Sequence, residues 1–255
     1  MEKTEKAGTD FITMRKFHNL IKRSMYNKYT KNTSRLLELA VGKSGDLDKW
    51  YKNKIKYIAG YDISKESIDN SKRRIKEYKK NKQHFPKIEL HVKDLSKSIL
   101  TFKNKFNVIV CNFAFHYFFE TKDSFSNIIH TIRDNLHKGG IFMGCFFDDK
   151  QVKIHLNRSH KNSFSLEKIG KWNRSLFGNK LSVYLPDSVL NTPTIEYIID
   201  FDLFVMFMES IGFKLIETFL FKDFHNKKYN FVDKLSRDEK EFSFLNRYFI
   251  FKLVV

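Results

Sequence analysis

The sequence predicts an α/β, Rossmann-like fold: a mostly parallel seven-stranded sheet whose last strand runs antiparallel. Three observations carry that expectation. Short apolar runs of strand length alternate with amphipathic helical segments, the pattern of parallel strands joined by right-handed crossovers. The first run, Leu36-Leu37-Glu38-Leu39-Ala40-Val41, passes into the loop Gly42-Lys43-Ser44-Gly45-Asp46, where glycine lets backbone approach a ligand closely. A second run, about twenty residues further on, ends at Asp62, where a carboxylate can accept both ribose hydroxyls of an adenosine.

The elements follow in order. Residues 1–10 are polar and read as a disordered tail, and residues 11–255 as one domain. Met14, Phe17, Ile21 and Met25 recur at spacings of three or four, which makes 11–29 a helix. Residues 35–41 are a buried strand, 47–51 helix-like, and 56–61 the second strand. Ser64 can cap a helix running to about residue 80, with Ile68, Ile75 and Tyr78 as its apolar face. Residues 87–92 alternate and lead to Asp94, and 106–111 form a continuous apolar strand of the fully buried type. Thr121 or Asp123 starts an amphipathic helix carrying Phe125, Ile128, Ile129, Ile132 and Leu136. Lys138-Gly139-Gly140 is expected to stop it, before a strand over 141–147. Residues 150–194 read as a polar insertion with Pro186, Pro193 and a hairpin near 181–185. Residues 195–199 are extended, and Phe201, Phe204, Val205, Met208 and Ile211 mark a helix ending at Gly212. Residues 213–219 are a strand, 222–242 a charged loop, and 248–255 the closing strand.

The loop lacks a complete Gly-x-Gly-x-x-Gly, so a dinucleotide is the weaker reading. One adenosine with an amino-acid tail, S-adenosylmethionine, fits better. Bulk composition narrows the partners. The 255 residues are 42% hydrophobic, enough for a sizeable core, and carry a formal net charge of +18. That excess of Lys and Arg points to a polyanion, nucleic acid above all, with a Lys-rich sequence bias as the bland alternative. Cys111 and Cys145 sit in apolar runs without metal-ligand spacing, as small buried residues of a reducing, intracellular compartment. No metal is expected. No apolar stretch approaches the ~20 residues that span a bilayer, and the N-terminus is not a signal peptide.

Placed on these elements, several motifs together resemble messenger RNA cap guanine-N7 methyltransferases, from about residue 14 to the end. Lys16-Phe17-His18-Asn19-Leu20-Ile21-Lys22 is similar to that family's N-terminal helix motif, and Glu38-Leu39-Ala40-Val41-Gly42-Lys43-Ser44-Gly45-Asp46-Leu47 to its glycine loop. Tyr61-Asp62-Ile63-Ser64 resembles its second-strand motif. Asn112-Phe113-Ala114-Phe115-His116-Tyr117-Phe118-Phe119-Glu120 resembles its Gln-Phe-x-x-His-Tyr-x-Phe-Glu, and Gly139-Gly140-Ile141-Phe142-Met143-Gly144 its Gly-Gly-x-Phe-Ile-Gly. The chain departs from the pattern at Leu20 (Trp in the family), Ala40-Val41 (Gly-Cys), Ser44 (Gly) and Asn112 (Gln). The Lys-rich, compact style resembles the methyltransferase domain of a large DNA virus capping enzyme.

The resemblance implies a class I S-adenosylmethionine-dependent methyltransferase that methylates N7 of the cap guanine of mRNA and releases S-adenosylhomocysteine. For the cofactor it implies Lys22 on the methionine carboxylate, Ala40 and Gly42 beside it, Asp62 on the ribose, Asp94 on the adenine amino group, and Asn112 and Tyr117 at the methionine end. For the cap it implies His18 and Asn19 on the nucleotide, Lys43, Lys49 and Arg74 on the phosphates, and His116, Tyr117, Glu196 and Tyr248 around guanine. Partners would be 5'-capped mRNA and other capping domains, triphosphatase and guanylyltransferase, in the same or another chain. The compartment would be host cytoplasm or virion for a viral protein and the nucleus for a cellular one. Guanine N7 has a free lone pair, so no general base is expected and the enzyme would act by alignment and electrostatics. Two alternatives remain open: another RNA methyltransferase on the same fold, and an inactive RNA-binding or regulatory capping subunit.

Overall fold

The structure, a computed structural model, describes residues 11–255 except 81, 159–160, 187, 189 and 225–231; the tail 1–10 lies outside the described residues. The chain runs α1 (Ile12–Tyr29), β1 (Arg35–Leu39), α2 (Leu47–Lys52), β2 (Tyr57–Asp62), α3 (Lys65–Lys79), β3 (Lys87–Val92), β4 (Phe106–Asn112) and a 3-10 turn (Phe115–Phe119). It continues through α4 (Lys122–Asn135), β5 (Leu136–Phe147), α5 (Asp149–Leu156), β6 (Ser165–Ile169), β7 (Lys180–Tyr184) and β8 (Thr194–Tyr197). It closes with α6 (Phe201–Ser210), β9 (Phe213–Leu220), α7 (Arg237–Ser243) and β10 (Asn246–Leu253).

The large sheet has the order β3-β2-β1-β4-β5-β10-β9. β1 to β5 pair in parallel, and β10 inserts antiparallel between β5 and β9. Alternation along each strand splits the core. Leu36, Val108, Val110 and Ile250 face α1 with Trp50; Leu37, Ile109, Phe249 and Phe251 face α4 and α6. The second face explains the richness in Phe. Phe115, Phe119, Phe142, Phe204 and Phe249 form a web of tilted and edge-on rings 5.1–6.0 Å apart. Each buried ring contributes about 1.5–3 kcal/mol from area alone.

Helix starts follow local chemistry. The Ser64 hydroxyl accepts from the Ser67 N–H at 3.1 Å, and Thr121, not Asp123, is the N-cap of α4, in a reciprocal box with Ser124. Three expectations need correction. Gly139-Gly140 does not stop α4: the helix ends at Asn135, Leu136 is already extended, and the glycines lie inside β5, with Gly139 at φ +79°. The 150–194 segment is not loop around one hairpin. It holds α5, β6 and β7, and β7 pairs on its other side with β8, on the stretch expected to be extended, to make a three-stranded antiparallel sheet with β7 in the centre. The charged stretch before β10 contains α7, whose Phe242 is buried and whose Glu239 accepts from the Met14 N–H at 2.8 Å, tying it to α1.

This architecture gathers polar residues at one end. Ala40, Asp62, Asp94 and Asn112 all stand at or just after the carboxyl ends of parallel strands, where open α/β sheets bind ligands. β8 runs beside the 3-10 turn after β4 and delivers Glu196 to His116.

Candidate active site

Two cavities open at the carboxyl end of the sheet. The first, about 560 Å³, is lined by Ala40, Asp62, Asp94, Asn112, Phe113 and Tyr117, with Ile63 and Ile195 at its mouth. Asp62 is fixed by backbone donors: Gly42 N–H to Oδ2 at 2.7 Å and Ser64 N–H to Oδ1 at 2.9 Å. Each carboxylate oxygen keeps a second acceptor site. Asp94 Oδ1 accepts from the Ser96 N–H at 3.0 Å, and its pKa is lowered because the Ser96 donors and Lys97 outweigh burial. Asn112 donates to Asp46 Oδ2 at 3.1 Å, while its own buried Oδ1 has no partner among the described residues. Ala40 and Ser44 both sit in the left-handed region, at φ +53° and +52°.

The second cavity, about 860 Å³, is lined by His18, Lys43, His116, Tyr117, Glu196 and Asn246, together with Phe113, Arg15, Glu66 and apolar residues from the insertion such as Leu185 and Leu190. The two cavities share Phe113 and Tyr117. Phe113 holds a left-handed backbone at φ +56°, strain of the kind stored at functional sites. It stacks on His18 at 5.3 Å between ring centroids. Tyr117 remains 38% exposed, so its ring is available to both spaces.

His116 and Glu196 are both buried, with Nε2 3.3 Å from Oε2. That contact lacks hydrogen-bond geometry, so both His116 ring nitrogens stay without a hydrogen-bond partner among the described residues. Burial lowers His116 to about 3 and keeps the ring neutral. Burial pushes Glu196 up to about 8, and the Tyr117 hydroxyl offsets this only in part. His18 is also lowered to about 3, by burial and then by Lys22, and its Nε2 lies 2.9 Å from the Ser243 hydroxyl.

Behind Asn112 lies a buried charge network that sequence reasoning did not anticipate. Asp46 Oδ1 is 2.7 Å from both Lys22 Nζ and Lys49 Nζ. Burial would raise the Asp46 pKa, but the two ammonium groups hold it below the usual carboxylate range. Glu38 accepts from the Tyr26 hydroxyl at 2.8 Å and Trp50 Nε1 at 2.7 Å, and burial raises its pKa. The network takes up three residues expected at the site. Lys49 is buried on α2 and also donates to Asn19 at 2.8 Å, so its charge is spent internally and not on cap phosphates. Asn19 lines neither cavity; it bridges Lys49 and the Arg15 carbonyl. Lys22 pairs with Asp46 and lines neither cavity, though its Nζ is 6.0 Å from the Phe113 ring centroid.

Two further residues lie elsewhere. Tyr248 is buried in the core: its ring packs on Phe219 at 4.1 Å and its hydroxyl bonds Glu217 on β9, away from both cavities. Asn246, two residues earlier and at the cavity end of β10, lines the space in its place. Arg74 is exposed on α3 and outside the cavity; its guanidinium donates to the Lys43 carbonyl at 3.4 Å. Asn246 was missed for want of an established register for β10, and Phe242, which also lines the larger cavity, because α7 was read as charged loop. Among the described residues no helix is long and apolar enough to cross a membrane, and Cys111 and Cys145 are buried free thiols.

Sheet order and cavities together define the fold of S-adenosylmethionine-dependent methyltransferases. One such protein from Clostridium acetobutylicum superposes with a TM-score of 0.61 at 14% identity, over 97% of this chain and 93% of that one. One from Methanosarcina mazei gives 0.61 at 14%, over 91% and 97%. The chain itself belongs to the mRNA (guanine-N(7))-methyltransferase domain family, whose model matches residues 1–244. An mRNA cap guanine-N(7) methyltransferase of Eremothecium gossypii is 29% identical over 225 residues, 80% of this chain and 52% of that protein. One from Cryptococcus neoformans is 24% identical over 91% of this chain and 38% of its own length. A probable mRNA-capping enzyme of Acanthamoeba polyphaga mimivirus is 26% identical over 90% of this chain and 23% of its own. The chain thus spans about a quarter to a half of the length of these relatives.

Proposed function

We propose that residues 11–255 form one methyltransferase domain that transfers a methyl group from S-adenosylmethionine to N7 of the 5'-cap guanine of mRNA. The carrying observation is the pair of cavities meeting at Phe113 and Tyr117, one lined by Asp62 and Asp94 and the other by His116 and Glu196. The first suits S-adenosylmethionine in size and donor set: two carboxylates 32 positions apart on neighbouring strand ends and the unpartnered Asn112 Oδ1. The cofactor supplies a methyl group carried on a positive sulfur.

In this reading Asp62 uses its remaining lone pairs for the ribose hydroxyls, and Asp94 accepts from the adenine amino group. Ala40 and Gly42 present backbone beside the methionine end, and Asn112 accepts there. Lys22 and Asp46 stand behind Asn112 as a paired support; a methionine carboxylate would share Lys22 with Asp46. Across the Phe113–Tyr117 wall, Glu196 accepts from guanine N1 and N2. A guanine in that position favours the ionised carboxylate, which then opposes the positive charge that N7 methylation creates. His116, neutral, can donate to guanine without acting as a base. His18 and Asn246 line the nucleotide space, and Lys43, with Arg15, faces the phosphates.

Catalysis is then alignment of N7, methyl and sulfur in an enclosed space. Capped mRNA as substrate, with free buried thiols, fits a reducing intracellular compartment. The greater length of the relatives leaves room for triphosphatase and guanylyltransferase domains in the same or a partner chain. The test is transfer of labelled methyl to capped RNA, uncapped RNA and DNA. Label restricted to capped RNA supports the reading; equal labelling of all three, or of DNA alone, refutes it.

A further inference from the structure

A third cavity, about 540 Å³, lies at the opposite end of the sheet, between the end of α2 and the loops leading into β2 and β3. Tyr51, Lys54, Lys56, His84 and Phe85 line it. The Tyr51 and Phe85 rings stack at 6.3 Å and 27°, and Tyr78 meets Tyr51 edge-on at 6.0 Å. None of the three rings is fully buried. Lys82 Nζ lies over Tyr51 at 5.2 Å and over Tyr78 at 5.1 Å, and Lys79 Nζ is 5.9 Å from Phe85. Neither Lys79 nor Lys82 pairs with a carboxylate among the described residues.

The cluster connects to the catalytic end along α3. That helix runs from Ser64, beside Asp62, to Lys79, beside this cavity. Arg74 and Tyr78 are one turn apart on it, roughly 6 Å by helical rise. Arg74 in turn touches the Lys43 carbonyl, and Lys43 lines the larger cavity. Exposed Lys72, Arg73 and Lys76 flank the same stretch. A basic path therefore leads from the mouth of the substrate cavity to an aromatic cluster.

We propose that Tyr51, Tyr78 and Phe85, with Lys79 and Lys82, form a stacking platform for single-stranded RNA downstream of the cap, reached past Lys43 and Arg74. Aromatic faces that take successive bases, set among lysines that take phosphates, are the physical means of binding single strands without reading sequence. The charge selects a polyanion; the rings select unpaired bases over an acidic peptide, which needs only the lysines. A duplex, whose bases stack on one another, gains little here. The assignment rests on the capped-RNA reading for its biological meaning, but the binding is testable without it.

The experiment measures fluorescence anisotropy with an uncapped single-stranded RNA of about twelve nucleotides. Phe85→Ala removes a ring, and Lys82→Glu reverses an exposed charge without touching the core. Each should weaken the single strand by about tenfold or more, and both should leave the KM for methylation of a cap dinucleotide unchanged. The wild type should bind the single strand more tightly than a duplex of equal length. Unaltered single-strand affinity in both variants, a wild type that binds no RNA or prefers duplex, or an acidic peptide that binds equally in wild type and Phe85→Ala while displacing the RNA, overturns the proposal. Failure of the wild type to methylate a cap dinucleotide refutes the function proposed above, and the anisotropy still decides the platform.

Discussion

Replacing Ser44 by glycine should stabilise this protein, although the residue lies in the loop that approaches the cofactor cavity. Ser44 is fully buried at φ +52°, and its hydroxyl has no hydrogen-bond partner among the described residues. A non-glycine residue held in the left-handed region costs roughly 1–2 kcal/mol. An orphaned buried hydroxyl costs about 1–3 kcal/mol. Against these, glycine's greater freedom in the unfolded chain costs about 0.5–1 kcal/mol. The net gain is on the order of 1–4 kcal/mol, a rise in Tm of about 2 °C or more for a domain of this size. Ala40→Gly is the internal control: it relieves the same backbone strain at φ +53° but frees no polar group, so its gain should stay below about 1.5 kcal/mol. Thermal unfolding of the three proteins side by side is the assay. A Ser44→Gly protein with unchanged or lowered Tm, or one no more stable than Ala40→Gly, would refute the reasoning.

Other consequences follow from the site. Asp62→Ala should weaken S-adenosylmethionine binding by roughly 2 kcal/mol or more, from loss of charge-assisted acceptors, and calorimetry showing unchanged affinity would remove Asp62 from the site. Lys49→Met should cost roughly 3–5 kcal/mol of stability by exposing Asp46 to burial with one counter-ion fewer, whereas Tyr248→Phe should leave the KM for capped RNA unchanged; a KM effect in Tyr248→Phe would restore the expected guanine contact. Glu196 titrates near 8 folded against 4.5 unfolded. Between those values the folded chain holds a proton that the unfolded chain releases, so stability falls as pH rises through the window. Glu196→Gln should therefore be increasingly more stable than wild type from about pH 5 to 8.5 while binding capped RNA less well, and parallel Tm profiles would contradict the assignment. His116 adds no slope above its unfolded value of 6.5, because it is neutral in both states there.

Much of this was legible in the residues. β3 spans the 87–92 segment that alternation marks, and the caps at Ser64 and Thr121 hold the hydrogen bonds their chemistry implies. Asp62, Asp94, Asn112, His116, Tyr117 and Glu196 do converge on two adjoining cavities. What failed depends on packing between distant elements. Lys49 looks like a surface lysine until α1 and α2 enclose Asp46 with it. Tyr248 and Asn246 lie on the same strand two positions apart, and only the register against β5, Asn246 with Phe147, decides which reaches the cavity. In the insertion, β7 and β8 fall on the stretches read as hairpin and extended chain, but β6 was hidden because it is five residues long with only Leu166 buried.

The most direct measurement is the position of the transferred methyl group. Capped RNA is incubated with the protein and methyl-labelled S-adenosylmethionine, then digested to cap structures and nucleosides and resolved by chromatography. Two cavities joined at Phe113 and Tyr117, with Glu196 in its proposed place on the guanine edge away from N7, predict label in 7-methylguanosine of the cap alone, lost in Asp62→Ala and reduced in Glu196→Gln. Label on an internal base or a ribose, or S-adenosylmethionine bound tightly with no methyl transferred to the cap, would contradict that arrangement.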